Sequence, residues 1–184
     1  MTHQPKSPDT LRRKLLIGSA AAVAASFAAI LPRPASANAL VLGRPAPPLT
    51  LHSLDGRHIA TTDLIGKIVV VTFWASYCEP CMEELPLLSR YAEQHAADGL
   101  QVLGFCIDPP DNVERVKQVA GTLSFPVGLL GSPYAGSYGR IWRMPVSFVI
   151  DRAGNLVDNG WNDSNPVWTP ERLHRILDPL LAGH

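Results

Sequence analysis

Two cysteines separated by two residues sit where an apolar strand turns into a helix, and that junction limits the fold more than any other feature. The run Lys67-Ile-Val-Val-Val-Thr-Phe-Trp74 is unbroken and β-branched or aromatic throughout. Such a run suits a strand covered on both faces. Cys78-Glu79-Pro80-Cys81 follows it and opens a helix expected from Glu79 to about Ala97, closed by Gly99. A strand covered on both faces needs neighbouring strands and helical layers. Further strands are expected at Gln101–Ile107, Val127–Leu130 and Val146–Ile150, with Asn155–Trp161 paired to the last across the turn Asp151–Gly154. Helices are expected from an Asp111 cap through about Leu123, over Tyr134–Ile141, and after Thr169. There Thr169 is the N-cap, Pro170 takes the first position, and Leu173, Ile176, Leu177 and Leu180 share a face. Ahead of these lie a Pro-rich lead-in over residues 43–50, a hairpin around Asp55-Gly56, and a helical turn over Thr61–Leu64. The expected class is α/β: a central mixed β-sheet flanked by helices, with an N-terminal β-hairpin extension.

The 184 residues are 46% hydrophobic and 17% charged, which excludes a disordered polar chain. Net charge is zero, which argues against a nucleic-acid partner. The zero conceals a division. Residues 1–37 carry five basic side chains against Asp9 alone, while residues 38–184 carry 11 basic and 15 acidic. Arg12-Arg13-Lys14 precedes an uncharged, Ala-rich run from Leu15 to Leu31, and Ala35-Ser36-Ala37 closes it. Basic, apolar and small residues in that order describe an export signal cut after Ala37, with a second cut available after Ala39. The paired arginines followed by Leu15-Leu16 resemble a twin-arginine signal. Retention as a membrane anchor competes with cleavage, although the run is short and rich in Ala. The chain is thus expected to comprise an export signal, 1–37, and one domain, 38–184. Either reading places the domain outside the cytosol, in the periplasm, where disulfide chemistry proceeds.

The C-x-x-C pair carries the chemistry. A thiolate is favoured at a helix N-terminus by unpaired N–H groups and the helix dipole. Cys78 is expected to be the exposed nucleophile, and Cys81, one turn inward, the shielded resolving thiol. Pro80 loses no useful N–H in the first turn. Glu79 places a carboxylate beside the pair, which opposes thiolate formation and makes the dithiol more reducing. Zinc binding and a purely structural disulfide are the competing readings. Zinc calls for four ligands, and the chain has one cysteine pair and six histidines with no ligand spacing. So short a disulfide loop would stabilise little. Cys106 lies in an apolar strand, where core packing competes with a redox role.

Phe-Trp74-Ala-Ser-Tyr77-Cys78-Glu-Pro-Cys81-Met-Glu-Glu84-Leu-Pro86, with Met144-Pro145-Val-Ser-Phe-Val-Ile-Asp151-Arg-Ala-Gly154, resembles the exported thioredoxin-like proteins of bacteria, in particular the TlpA/ResA-type thiol–disulfide oxidoreductases. The likeness spans about residues 41–182. It implies a thioredoxin-like fold and a redox-active Cys78–Cys81 disulfide. It also implies a cis Pro145 beside the pair, with Met144 turned toward a bound partner. Pro86 would kink the first helix, and Glu84 would sit near the sulfurs. Two positions depart from the pattern: Tyr77 stands where a Trp is usual before the first Cys, and Thr72 matches a strand position that is a buried Asp in thioredoxin. Glu79 and Glu84 are the candidates to replace that proton acceptor; alternatively, either is an ordinary solvated residue of the first turns. The resemblance implies protein disulfides as substrates, such as cysteines of apocytochrome c or of an oxidase copper site. A membrane thiol-transfer protein would be the reductant. It calls for no cofactor or metal, and the chain is expected to act as a monomer. Two rivals remain: a peroxiredoxin-like peroxidase, which usually has Thr or Ser where this chain has Ala75, and a copper carrier, whose relatives space their cysteines by three.

Overall fold

A computed structural model describes residues 40–183, so the expected export signal, residues 1–37, lies outside the described residues. The sheet has the strand order β5-β4-β3-β6-β7. Its centre is β3 (Ile68–Trp74), with all seven residues buried. Parallel pairing joins β3 to β4 (Leu100–Cys106) and β4 to β5 (Val127–Leu129), whereas β6 (Val146–Ile150) and β7 (Leu156–Asn159) are antiparallel. A strand buried on both faces has to be apolar at nearly every position, which is why the Ile-Val-Val-Val run occupies the middle. Alternation sends Phe73, Phe105 and Phe148 to one face, where Phe73 meets the other two and Tyr138 packs on Phe73 and Phe148. Thr72 faces the other side with its cross-strand neighbour Ser147, which bonds the indole of Trp168.

The N-terminal hairpin forms from β1 (Thr50–His52) and β2 (His58–Ala60). It docks on β5 through the Leu54 N–H to the Val127 carbonyl at 2.8 Å and the Ser53–Gly128 bridge. The Pro-rich lead-in reaches the opposite edge, where Gly43 N–H and the Arg44 carbonyl bond Leu156 of β7. Both edge strands are thereby partly covered.

Helix ends differ from the sequence reading. Helix α1 (Glu79–Gln94) stops before Ala97, and residues 95–99 form turns ending at Gly99, whose φ of 86° requires glycine. Asp111 lies within a 3-10 turn (Pro110–Asn112) rather than capping α2 (Val113–Ala120), whose N-cap position is Asn112. Only a 3-10 turn, Gly136–Tyr138, forms between Tyr134 and Ile141. Strand β7 is shorter than expected because residues 160–162 coil into another 3-10 turn. The last helix is divided into α3 (Pro170–Ile176) and α4 (Asp178–Ala182). Pro179 accounts for the break, since it has no N–H to continue the ladder. Thr169 caps α3 as expected, accepting from the Arg172 N–H at 3.2 Å. No helix among the described residues is long and apolar enough to cross a membrane.

Candidate active site

The junction between β3 and α1 brings the two sulfurs together. Cys78 is the N-cap of α1 with extended backbone, and its Sγ accepts from the Cys81 N–H at 3.3 Å. A disulfide joins Cys78 and Cys81, with Cα atoms 5.3 Å apart. Cys78 retains 9% of its surface and Cys81 none. The first cysteine is therefore the accessible one, but it is not openly exposed: as the cap, its sulfur folds back over the first turn. Glu79 and Pro80 are exposed beside it, with Pro80 in the first turn as expected. Tyr77 is 59% exposed, next to Cys78. Trp74 is fully buried in the core, its indole nitrogen unpartnered.

Asp108 anchors the loop that presents Cys78. It is fully buried just beyond β4, and its carboxylate accepts from the Ser76 N–H at 2.8 Å and the Ser76 hydroxyl at 2.7 Å. Cys106 Sγ at 3.1 Å and Asn112 Nδ2 at 3.2 Å donate to the same carboxylate. Arg115 holds the Ser76 carbonyl at 3.0 Å. Burial pushes Asp108 upward, but the bonds from Ser76 and its neighbours hold it below its ordinary value. Burial pushes the Cys106 thiol up to about 12. Cys106 packs in the core as a thiol that donates to Asp108.

Glu84 lies three residues after Cys81 on the buried face of α1 and is 2% exposed. Its Oε2 accepts from the Trp168 N–H at 2.7 Å, and its Oε1 has no hydrogen-bond partner. Burial raises its pKa to about 8, against the opposing influence of that N–H and of the Arg172 charge. Glu84 is thus not a solvated first-turn residue. Pro86 stands inside α1, which continues through it. The Met144–Pro145 peptide bond is cis, Pro145 is buried and Met144 half-buried. Just before them, Trp142 stacks on Trp161 at 5.5 Å and is 69% exposed. Among the described residues, no group of three or more His, Cys, Asp or Glu is placed to hold a metal.

Residues 42–159 match the AhpC/TSA family. The chain belongs to that family. Within it, this member is a thioredoxin-like thiol–disulfide oxidoreductase. It is 30% identical over 118 residues to the thiol–disulfide oxidoreductase ResA of Bacillus anthracis, covering 64% of this chain and 68% of the relative. It is 31% identical over 147 residues to the thiol:disulfide interchange protein HelX of Rhodobacter capsulatus, covering 77% of each. A thiol:disulfide interchange protein of the thioredoxin family from Chlorobium tepidum superposes with a TM-score of 0.60 at 26% identity, covering 75% of this chain and 96% of that one.

Asp108, Ser76, Trp168 and Arg172 are the site neighbours that sequence reasoning missed. For Asp108 a signal existed: it stands two residues past Cys106, which registers with Trp74 at the end of β3. Trp168 meets Glu84 across 84 residues, and no local pattern announces that contact.

Proposed function

We propose that residues 38–184 form an exported dithiol reductant of protein disulfides, released by cleavage after Ala37. The observation that carries this reading is the disulfide at the N-terminus of α1, with one cysteine accessible, the other shielded, and a buried carboxyl one turn farther along. Cys78 thiolate attacks a substrate disulfide, forming the Cys78–substrate bond and breaking the substrate's S–S bond. The expelled sulfur takes up a proton. Glu84 handles the proton of Cys81, whose thiolate then attacks Cys78 Sγ. The second substrate sulfur leaves as a thiol, two electrons have passed to the substrate, and Cys78–Cys81 is a disulfide. A membrane thiol-transfer protein returns the pair to the dithiol. Tyr77, Met144 and Pro145 face the substrate, and Glu79 makes the pair more reducing. The names of its relatives, oxidoreductases and interchange proteins of disulfides, favour this chemistry over peroxide reduction, as does the methyl group of Ala75. Cysteines of apocytochrome c or of an oxidase copper site are the proposed substrates, and the periplasm the proposed location.

Replacing Cys81 by Ser tests the assignment. With a disulfide-bonded peptide, the variant is expected to accumulate a mixed disulfide through Cys78, identified by mass and peptide mapping. An adduct on Cys106, or none, contradicts it.

A further inference from the structure

The carboxyl of Glu84 meets the backbone of Trp168, and Trp168 is held in place from three directions. Its N–H bonds Glu84 Oε2 at 2.7 Å. Its indole N–H bonds Ser147 Oγ on β6 at 3.0 Å. Over its ring lies the guanidinium of Arg172, 4.3 Å from the centroid. Arg172 is itself 3% exposed and bonded through both terminal nitrogens, Nη1 to the Pro166 carbonyl at 2.7 Å and Nη2 to Asp158 at 2.7 Å, while its Nε lies 3.3 Å from Asp163 without a hydrogen bond. A buried guanidinium is costly to desolvate, and here its ionic partners lie on β7 and on the loop that leads to Trp168. The anchors converge on a buried residue whose backbone touches the Glu84 carboxyl.

We propose that Arg172 and Ser147 are positioning residues that lock Trp168 as a lid over Glu84 and keep that carboxyl dry; the bearing on disulfide exchange rests on the reading of Glu84 given above. Arg172 acts on Glu84 in two opposite senses. Its charge and the Trp168 N–H it holds in place favour the carboxylate, whereas the burial to which Trp168 contributes favours the neutral acid. Exclusion of water is the larger influence. Asp158 and Asp163 lie against Arg172 and Arg175 acts on Asp158, while Cys81 on α1 is disulfide-bonded in this form and does not titrate.

The opposed signs make the lid testable in the oxidised full-length protein. The Glu84 carboxyl is titrated by carbon-detected NMR, with Glu84→Gln assigning its signal, and exchange of the Trp168 amide is followed in parallel. Arg172→Met and Ser147→Ala are both expected to lower the Glu84 midpoint by about one unit or more. Both are expected to speed Trp168 amide exchange by about tenfold or more. A raised midpoint in Arg172→Met means that Arg172 acts by charge alone and overturns the proposal. An unchanged midpoint in Ser147→Ala, which alters no charge, overturns it as well, and this variant alone decides if Arg172→Met does not fold. Lowered midpoints together with unimpaired disulfide exchange in Glu84→Gln uphold the lid and overturn proton handling by Glu84.

Discussion

Substituting Glu84 by Gln replaces a buried, titrating carboxyl by a neutral group of nearly the same shape. In the folded chain burial holds this carboxyl near 8, whereas its ordinary value is 4.5. Between those values the folded chain keeps a proton that the unfolded chain has released. Stability is therefore greatest at the acid end of the window, falls as pH rises through it, and levels off above the folded value. At about 1.4 kcal/mol per unit, the loss between pH 5 and pH 8 is about 3 kcal/mol. The Gln variant has nothing to ionise at this position and escapes the loss. Other groups, including Asp108 and Asp158, titrate in both proteins and cancel in the difference. Urea unfolding of the oxidised proteins at pH 5, 6, 7 and 8 provides the assay, since disulfide-bonded cysteines do not titrate. The two proteins should be nearly equal at pH 5, with the variant about 3 kcal/mol more stable at pH 8. Parallel curves across the window would refute the assignment of a raised Glu84.

Asp108→Ala removes the acceptor of the Ser76 N–H and hydroxyl; it should cost about 3 kcal/mol in chemical denaturation. The same change should slow reaction of the dithiol with a peptide disulfide by about tenfold or more, because it frees the loop that places Cys78; an unchanged rate counts against that positioning. A Cβ at Gly128 would collide with the His52 carbonyl oxygen and meet Leu51 Cδ1 at 2.8 Å. Gly128→Ala should therefore destabilise the chain by about 2 kcal/mol and speed amide exchange at Leu54, which bonds β5, while leaving the potential of the cysteine pair unchanged.

The strands were legible because burial on both faces leaves its mark residue by residue, and β3 and β6 occupy the runs that announce them. Helix ends were less so. Gly99 marks a left-handed turn five residues past the end of α1, not its immediate cap, and Pro179 interrupts an amphipathic pattern that otherwise reads as one helix. The cysteine pair was legible from spacing and position, and the structure joins it as a disulfide. Glu84 was legible only through family resemblance, since its charge alone suggests a solvated surface residue. Its seclusion comes from Trp168 and Arg172, brought from the far end of the chain by tertiary packing. Asp108 follows the same logic: a carboxylate after an apolar strand is unremarkable until the parallel register of β3 and β4 sets it beside Ser76.

The reduction potential of the Cys78–Cys81 pair tests the central claim most directly. In the proposed reading Glu79 places a carboxylate on the first turn of α1, where negative charge disfavours the thiolate and makes the dithiol the stronger electron donor. Equilibration against redox buffers of known potential, read by mass after alkylation, should place the pair near the thioredoxin value of about −270 mV. A value near about −120 mV, that of the oxidant DsbA, would contradict the assignment as a reductant.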